Sequence, residues 1–130
     1  MTTPINRDEL QAKLTAQLSG NLDGNPNGSQ PVILIEALPE SYFAEAHLPG
    51  AINIPHRQVE TLASTLLPDK SAEIVVYCSN SVCQNSTIAA ETLEKLGYTN
   101  VRDYKDGKQD WVNAGLPTET LNPVNHSTAV

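Results

Sequence analysis

The stretch of sequence that decides the fold is residues 73–97, EIVVYCSNSVCQNSTIAAETLEKLG. It begins with a short apolar, β-branched run at residues 74–77, continues through small and polar residues, and ends in a helix-forming segment that stops at Gly97. This order predicts a strand, a loop and a helix. Both cysteines of the chain fall in this stretch, Cys78 where the strand ends and Cys83 inside the loop. Any covalent chemistry of the chain is therefore expected in this loop.

The position of Cys78 favours a reactive thiolate over a packing role. A loop that joins a buried strand to a helix turns several backbone N–H groups inward, and the first turn of the helix adds unsatisfied donors at its positive end. Cysteines in such places have pKa values of roughly 3.5–7.5 instead of about 8.5. We therefore expect the pKa of Cys78 to be lowered. The alternative is that Cys78 is a small buried hydrophobe that closes the strand, as many free cysteines are.

Length and composition limit the classes of function. A chain of 130 residues suits one domain, and a net charge of −7 with only eight Lys and Arg argues against a nucleic-acid or anionic membrane surface. No apolar run is suited to a signal peptide or to crossing a bilayer, which predicts a cytoplasmic protein without a membrane partner. Two cysteines this close together cannot staple a fold, and in a reducing compartment such pairs are more often catalytic or metal-binding.

The histidines do not complete a metal site with these cysteines. Structural zinc sites usually pair cysteines two to four residues apart within a closed set of four ligands. His47 is expected to order its own turn by hydrogen bonding, while solvent exposure is expected for His56 and a place in the tail for His126. The sequence therefore predicts no metal and no cofactor.

The remaining chain alternates between helix and strand patterns. Helices are predicted over residues 5–18, 40–46, 56–67 and 108–114, strands over 32–36, 51–54 and 101–104, and a solvent-exposed loop over 20–31. Asn6 is the expected N-cap of the first helix, and Gly115 is the expected C′ residue of the last. The alternation predicts an α/β layer architecture with a mainly parallel sheet, in which ligands bind beyond the carboxyl ends of the strands. Cys78 lies at such an end.

Three stretches, in this order and spacing, resemble the single-domain rhodanese-like family. They are HLPGAINIP at residues 47–55, VVYCSNSVC followed by a helix at 75–96, and GYTNVRDYKDGKQDWVNAGLP at 97–117. The resemblance covers residues 5–119, with a domain expected over 1–119 and an exposed tail over 120–130. It implies a three-layer α/β fold with a sheet of about five mainly parallel strands flanked by helices.

The resemblance also implies a sulfurtransferase. The catalytic residue would be Cys78, which takes a sulfane sulfur from a small donor as a persulfide and hands it to a thiol or other nucleophilic acceptor, either a small molecule or a protein. Such an attack resembles thiol–disulfide exchange, which needs an ionised nucleophile. Backbone and side-chain donors of the loop would hold the donor and the persulfide anion. The expected substrate-binding residues are Ser79, Asn80, Ser81, Val82, Cys83 and Gln84.

The sequence departs from the family pattern in three places. Residues 79–86 contain no Arg or Lys, so a dianionic donor such as thiosulfate would meet only neutral dipoles and is expected to bind poorly. Gln84 stands where related phosphatases and arsenate reductases carry an Arg that clamps an oxyanion, which disfavours those activities. Finally, Glu36, Ala37 and Leu38 occupy the place where the family often has Asp, an apolar residue and Arg, so the usual salt-bridge support is not expected.

Two other functions remain open. The loop resembles a subset of the family with a second cysteine five residues after the first, and Cys83 is a candidate resolving thiol. It could attack a persulfide on Cys78 and release sulfide, which would make the chain a persulfide reductase or dithiol oxidoreductase, or it could simply pack the loop. The other alternative is a non-catalytic rhodanese-like module that binds a protein partner.

Overall fold

A five-stranded parallel sheet forms the centre of the fold. The structure, a computed structural model, describes residues 2–18 and 32–120. The loop predicted at 20–31, the histidine at 126 and all but the first residue of the predicted tail lie outside the described residues. Within the described part, no helix is long and apolar enough to cross a membrane.

The strands follow the order β1-β5-β4-β2-β3, and every pairing is parallel. The strands are β1 (Thr3–Pro4), β2 (Ile33–Glu36), β3 (Ile52–Asn53), β4 (Ile74–Tyr77) and β5 (Val101–Tyr104). The helices are α1 (Arg7–Leu18), α2 (Glu40–Glu45), α3 (Val59–Leu66), α4 (Asn85–Lys95) and α5 (Gly107–Asn113), with a one-turn 3-10 helix at His56–Gln58. This architecture confirms the predicted three-layer α/β fold.

Helices cover both faces of the sheet, which explains the apolar runs in the strands. Strand β4 lies in the middle, and all four of its residues are fully buried, as expected for a strand with helices on both sides. One face packs on α3 and α4 through Ile35, Val59, Ala63, Ile74, Val76, Ala89, Leu93 and Val101. The other face packs on α1 and α5 through Leu10, Leu14, Leu34, Val75, Tyr77, Tyr104 and Trp111.

The ends of the elements follow the local signals in the sequence. The backbone N–H of Glu9 donates to Oδ1 of Asn6 at 2.8 Å, which confirms the predicted N-cap. Gly115 follows α5 with a φ of +78°, as predicted for a C′ glycine. The helix predicted over 56–67 is divided into the 3-10 turn and α3. Strand β1 was not predicted; it has only two residues and pairs with β5 at the edge of the sheet.

His47 orders its turn as predicted. Its Nδ1 hydrogen-bonds the carbonyl oxygen of Phe43 at 2.8 Å, and the two rings stack with centroids 3.8 Å apart. Its backbone also pairs with Glu119, each N–H donating to the carbonyl of the other residue. This antiparallel bridge ties the end of the described chain to the segment that leads into β3.

Candidate active site

The loop that carries Cys78 is fastened to the start of α5. Cys78 directly follows β4, at the carboxyl end of the central strand, and is fully buried. Its carbonyl oxygen accepts a hydrogen bond from the backbone N–H of Lys108, and the carbonyl of Ser79 accepts one from Gln109, both at 2.8 Å. The position of α5 therefore sets the position of Cys78 and Ser79, the first residues of the loop.

Gly107 allows this close approach. A Cβ at this position would lie 2.7 Å from the carbonyl oxygen of Cys78 and 2.9 Å from the backbone nitrogen of Asn80. Its φ of +74° is also a left-handed value that favours glycine. Only a turn was predicted for Gly107, but this glycine is where the start of α5 contacts the cysteine loop.

Asn80 shapes the next part of the loop. Its side-chain Oδ1 accepts the backbone N–H groups of Val82 at 3.0 Å and of Cys83 at 3.1 Å. Two of the backbone donors that were expected to hold an anion are therefore engaged within the loop itself. Val82 is 83% exposed, so its side chain is available to an incoming molecule.

The sulfur of Cys78 faces hydrogen-bond acceptors. Its Sγ lies 3.3 Å from the carbonyl oxygen of Cys83 and 3.7 Å from Oγ of Ser86, so its single hydrogen can be donated to either acceptor. The hydroxyl of Ser86 in turn donates to Oδ1 of the buried Asp103 at 2.7 Å. Thr87 donates to the other oxygen of the same carboxylate at 2.9 Å.

Burial raises the pKa of Cys78 to about 11. The hydrogen bond to Cys83 also favours the thiol, and the backbone N–H and the hydroxyl of Ser86 only partly oppose these effects. The expectation of a lowered pKa is therefore wrong for this structure. The start of α4 does face the sulfur, but burial raises the pKa of Cys78 by more than the helix start lowers it.

Cys83 has the opposite character. It is half-buried, and burial by itself would raise its pKa. Hydrogen bonds outweigh that effect and hold its pKa below the ordinary value, first the one from the Cys78 thiol and then those from Asn85 and Ser79. The ionised form is thus favoured at the second cysteine and disfavoured at the first.

A buried ion pair supports the site from the β2 side. Nζ of Lys108 lies 2.9 Å from Oε2 of Glu36, which is fully buried, and the hydroxyl of Tyr77 donates to Oε1 of the same carboxylate at 2.6 Å. The lysine also donates to the carbonyls of Tyr42 and Ala46. Salt-bridge support was not expected from the residues after Glu36, and it comes instead from α5.

A cleft of about 560 Å³ opens at the same edge of the sheet, beyond the ends of β2 and β3. Its lining residues are Pro39, Glu40, Asn53, Pro55, His56, Arg57 and Gln58. His56, which was expected at the solvated surface, is half-buried in this wall. The cleft offers room for a small molecule, but its lining contains no residue of the cysteine loop.

Comparison with known proteins decides the family. Residues 15–114 match the Rhodanese-like domain. The chain belongs to this family. HTH-type transcriptional regulator Rv0324 of Mycobacterium tuberculosis is 33% identical over 73% of this chain and 41% of that protein. Thiosulfate sulfurtransferase PspE of Escherichia coli is 41% identical over 51% of this chain and 61% of that protein. The chain therefore spans less than two thirds of the length of either relative.

A solved rhodanese from E. coli with bound anions matches at 30% identity and a TM-score of 0.59, over 69% of this chain and 99% of that one. The spacing of the two loop cysteines fits the subset of the rhodanese-like family that has a second cysteine five residues on. Family and relatives together support sulfur transfer as the general activity of such a domain.

Proposed function

We propose that this rhodanese-like domain is a sulfurtransferase that carries a sulfane sulfur as a persulfide on Cys78. The observation that carries the proposal is the position of Cys78 at the carboxyl end of the central strand, with its carbonyl fastened to α5 at 2.8 Å. In parallel sheets this edge is where ligands bind. In the reaction Cys78 Sγ bonds to the sulfane sulfur, the donor's S–S bond breaks, and the remainder of the donor leaves with the electron pair.

The groups around Cys78 are suited to a persulfide. The backbone N–H of Ser86, in the first turn of α4, faces its sulfur, and the positive end of a helix stabilises negative charge. The substrate-binding residues Ser79 to Gln84 form the outer wall of the loop.

Charge favours a donor of low charge. The loop residues 79–86 carry no Lys or Arg. Lys105 and Lys108, which follow β5 beside the loop, donate to Thr87 and to the carboxylate of Glu36. A persulfide of a small thiol, with one or no charge at the reacting sulfur, is therefore a better donor for this site than dianionic thiosulfate.

The test is the intact mass of the reduced protein after incubation with thiosulfate, polysulfide or glutathione persulfide. We expect the wild type to gain one sulfur atom, most rapidly from glutathione persulfide, and a thiol acceptor to remove it. Cys78→Ser is expected to end transfer to the acceptor. If no donor adds sulfur to the wild type, the proposal is wrong and a partner-binding module becomes the better explanation.

The nearness of the two cysteines in the loop, with Sγ of Cys78 3.3 Å from the carbonyl oxygen of Cys83, favours a second candidate, a persulfide reductase. In that reaction Cys83 attacks the inner sulfur of the Cys78 persulfide, a Cys78–Cys83 disulfide forms, and sulfide leaves. The wild type would then lose two hydrogens after a single turnover. Sulfide release that is unchanged in Cys83→Ser, measured from fully persulfidated protein, would exclude this candidate.

A further inference from the structure

The depth of Cys78 divides any sulfur donor into two parts. Cys78 is fully buried at the carboxyl end of β4. Only the sulfur-bearing end of a donor can therefore approach it, and the remainder of the donor has to be held nearer the surface. The loop offers no cation for this purpose, because residues 79–86 contain no Lys or Arg. A site for the body of the donor is therefore expected on neighbouring elements at the same edge of the sheet.

The cleft beyond β2 and β3 lies at a suitable distance from the cysteine. Asn53, Glu36 and Tyr77 stand side by side on adjacent strands. Asn53 lines the cleft, and Tyr77 directly precedes Cys78. Neighbouring strands are ~4.8 Å apart, so two spacings separate these places by about 10 Å. An extended peptide covers ~3.5 Å per residue, so a molecule of two or three linked residues can bridge them.

The walls of the cleft are fixed by hydrogen bonds of the fold. Nδ2 of Asn53 donates to the carbonyl of Leu38 at 2.8 Å and to that of Glu36 at 3.2 Å. The backbone N–H of Gln58 donates to the carbonyl of Pro55 at 2.8 Å and closes the 3-10 turn. That turn also packs against α4, the helix that follows the cysteine loop. The volume of about 560 Å³ lies within the range of roughly 300–1,000 Å³ that is usual for small-molecule sites.

Two opposite charges line this cleft without an ion-pair partner. Arg57 and Glu40 are both exposed, and neither is paired within the part of the chain that the structure describes. A guanidinium can hold a carboxylate through two parallel hydrogen bonds, and a carboxylate can hold an ammonium group. A second cavity, of about 160 Å³, is less suitable because its Arg7 is already paired with Asp110 at 2.9 Å. The larger cleft therefore fits a molecule that carries both charges.

We propose that this cleft binds the zwitterionic body of a small peptide-like thiol whose persulfide is the sulfur donor. This inference rests on the proposed sulfur transfer and adds the substrate class and the residues that recognise it. The carboxylate of the donor pairs with Arg57, its ammonium group pairs with Glu40, and its aliphatic part packs on Pro39 and Pro55.

The transfer from such a donor needs no further reactant. R–S–SH and Cys78–SH become R–SH and Cys78–S–SH, where R is the body held in the cleft. The S–S bond of the donor breaks as Sγ of Cys78 bonds to the outer sulfur. The inner sulfur leaves with the electron pair and takes up the proton of the Cys78 thiol, so atoms and charge balance.

The first test measures the rate of sulfur loading against the concentration of two donors, glutathione persulfide and the persulfide of 2-mercaptoethanol, whose body is uncharged. We expect Arg57→Gln to raise the KM for glutathione persulfide about tenfold and to keep the maximal rate. The KM for the uncharged donor should not change. Lys95→Gln, which removes the same charge from an exposed lysine outside the cleft, should behave like wild type with both donors. If Arg57→Gln changes the KM equally for both donors, or for neither, the inference is wrong while sulfur loading still supports the proposed function.

A second measurement needs no sulfur transfer. Reduced glutathione has the same body without a sulfane sulfur, and it is titrated into isotope-labelled Cys78→Ser while the backbone amide NMR shifts are followed. We expect saturable shifts at residues 53 and 56–58, an affinity about tenfold weaker when Arg57→Gln is added, and no shifts with 2-mercaptoethanol. The absence of glutathione-dependent shifts at these residues would overturn the inference. Binding in the cleft, combined with no sulfur uptake by wild type, would support the site and place the failure in the proposed sulfur transfer.

Discussion

Replacing Gly107 by Ala tests whether α5 sets the position of the cysteine loop. The added Cβ would lie 2.7 Å from the carbonyl oxygen of Cys78 and 2.9 Å from the carbonyl carbon of Ser79. Both contacts are with backbone, so no flexible side chain can turn away. The loop or the start of α5 has to move by several tenths of an ångström, and the hydrogen bond from Lys108 to Cys78 must stretch with it.

Two contributions give the expected magnitude. A left-handed φ costs a residue with a Cβ about 1–2 kcal/mol, and the stiffer unfolded chain of Ala offsets less than about 1 kcal/mol of this cost. Overpacking a tight contact costs a further 1–3 kcal/mol or so. We expect Gly107→Ala to lower the free energy of unfolding by about 2–5 kcal/mol. A displacement of a reacting atom by about 1 Å can slow a reaction ~100-fold. The rate of sulfur loading should therefore fall by a larger factor than the fraction of folded protein.

Gly115 supplies the matched control. It has nearly the same φ, +78°, but a Cβ there would have no neighbour within 4 Å. Gly115→Ala should therefore cost only the backbone contribution, about 1–2 kcal/mol, and leave sulfur loading unchanged. Urea unfolding and the rate of mass gain are measured for both variants. Equal destabilisation, with normal loading in Gly107→Ala, would refute the idea that α5 fixes the loop.

Three further outcomes are expected. Lys108→Met leaves the buried carboxylate of Glu36 without its cation and should lower the free energy of unfolding, measured in urea, by about 3–5 kcal/mol. Adding Glu36→Gln should restore part of that loss. If the effects of the two substitutions simply add in the double variant, the pairing is contradicted. A thiol whose folded pKa lies above its unfolded one stabilises the fold at low pH, so the contribution of Cys78 should be complete below about pH 9 and lost toward pH 11. Cys78→Ser should remove this part of the pH dependence of unfolding. Tyr98→Phe removes two hydrogen bonds to the carbonyls of Ala63 and Leu67 and should lower the free energy of unfolding by about 1–3 kcal/mol. The rate of sulfur loading should not change, and a slower rate would contradict a purely structural role.

The parts of the fold that were predictable from sequence depend on local signals. Residues 74–77 are apolar and β-branched, and they form a strand buried on both faces. Asn6 caps the first helix because its short side chain reaches the backbone three residues on. Gly97 ends α4 because glycine, which has no Cβ, readily adopts the left-handed φ of +102° found there. The place of Cys78 followed directly, since the end of a strand and the start of a helix are both set by neighbouring residues.

The contacts that determine the chemistry were not predictable, because they join distant parts of the chain. Lys108 meets Glu36 across 72 positions, and nothing near either residue indicates the other. One signal was available: a carboxylate at the end of an apolar strand run, buried in the sheet, needs a partner. Ser86 meets Asp103 across 17 positions only because β4 and β5 are neighbours. The rule that a helix start lowers a cysteine pKa failed at Cys78 because it takes no account of depth.

The absence of cationic residues from the loop links the choice of donor to the ionisation of Cys78. Once Cys78 is a thiolate, it repels every charge on an incoming donor. Two unit charges 4 Å apart at an effective dielectric constant of 20 repel by about 4 kcal/mol, which corresponds to roughly 10³-fold in affinity. An uncharged or singly charged persulfide avoids most of this cost, whereas thiosulfate does not. An Arg in the loop would relieve the repulsion and would also lower the pKa of Cys78 directly. The missing cation therefore leaves the effect of burial on the pKa of Cys78 largely unopposed and favours donors of low charge.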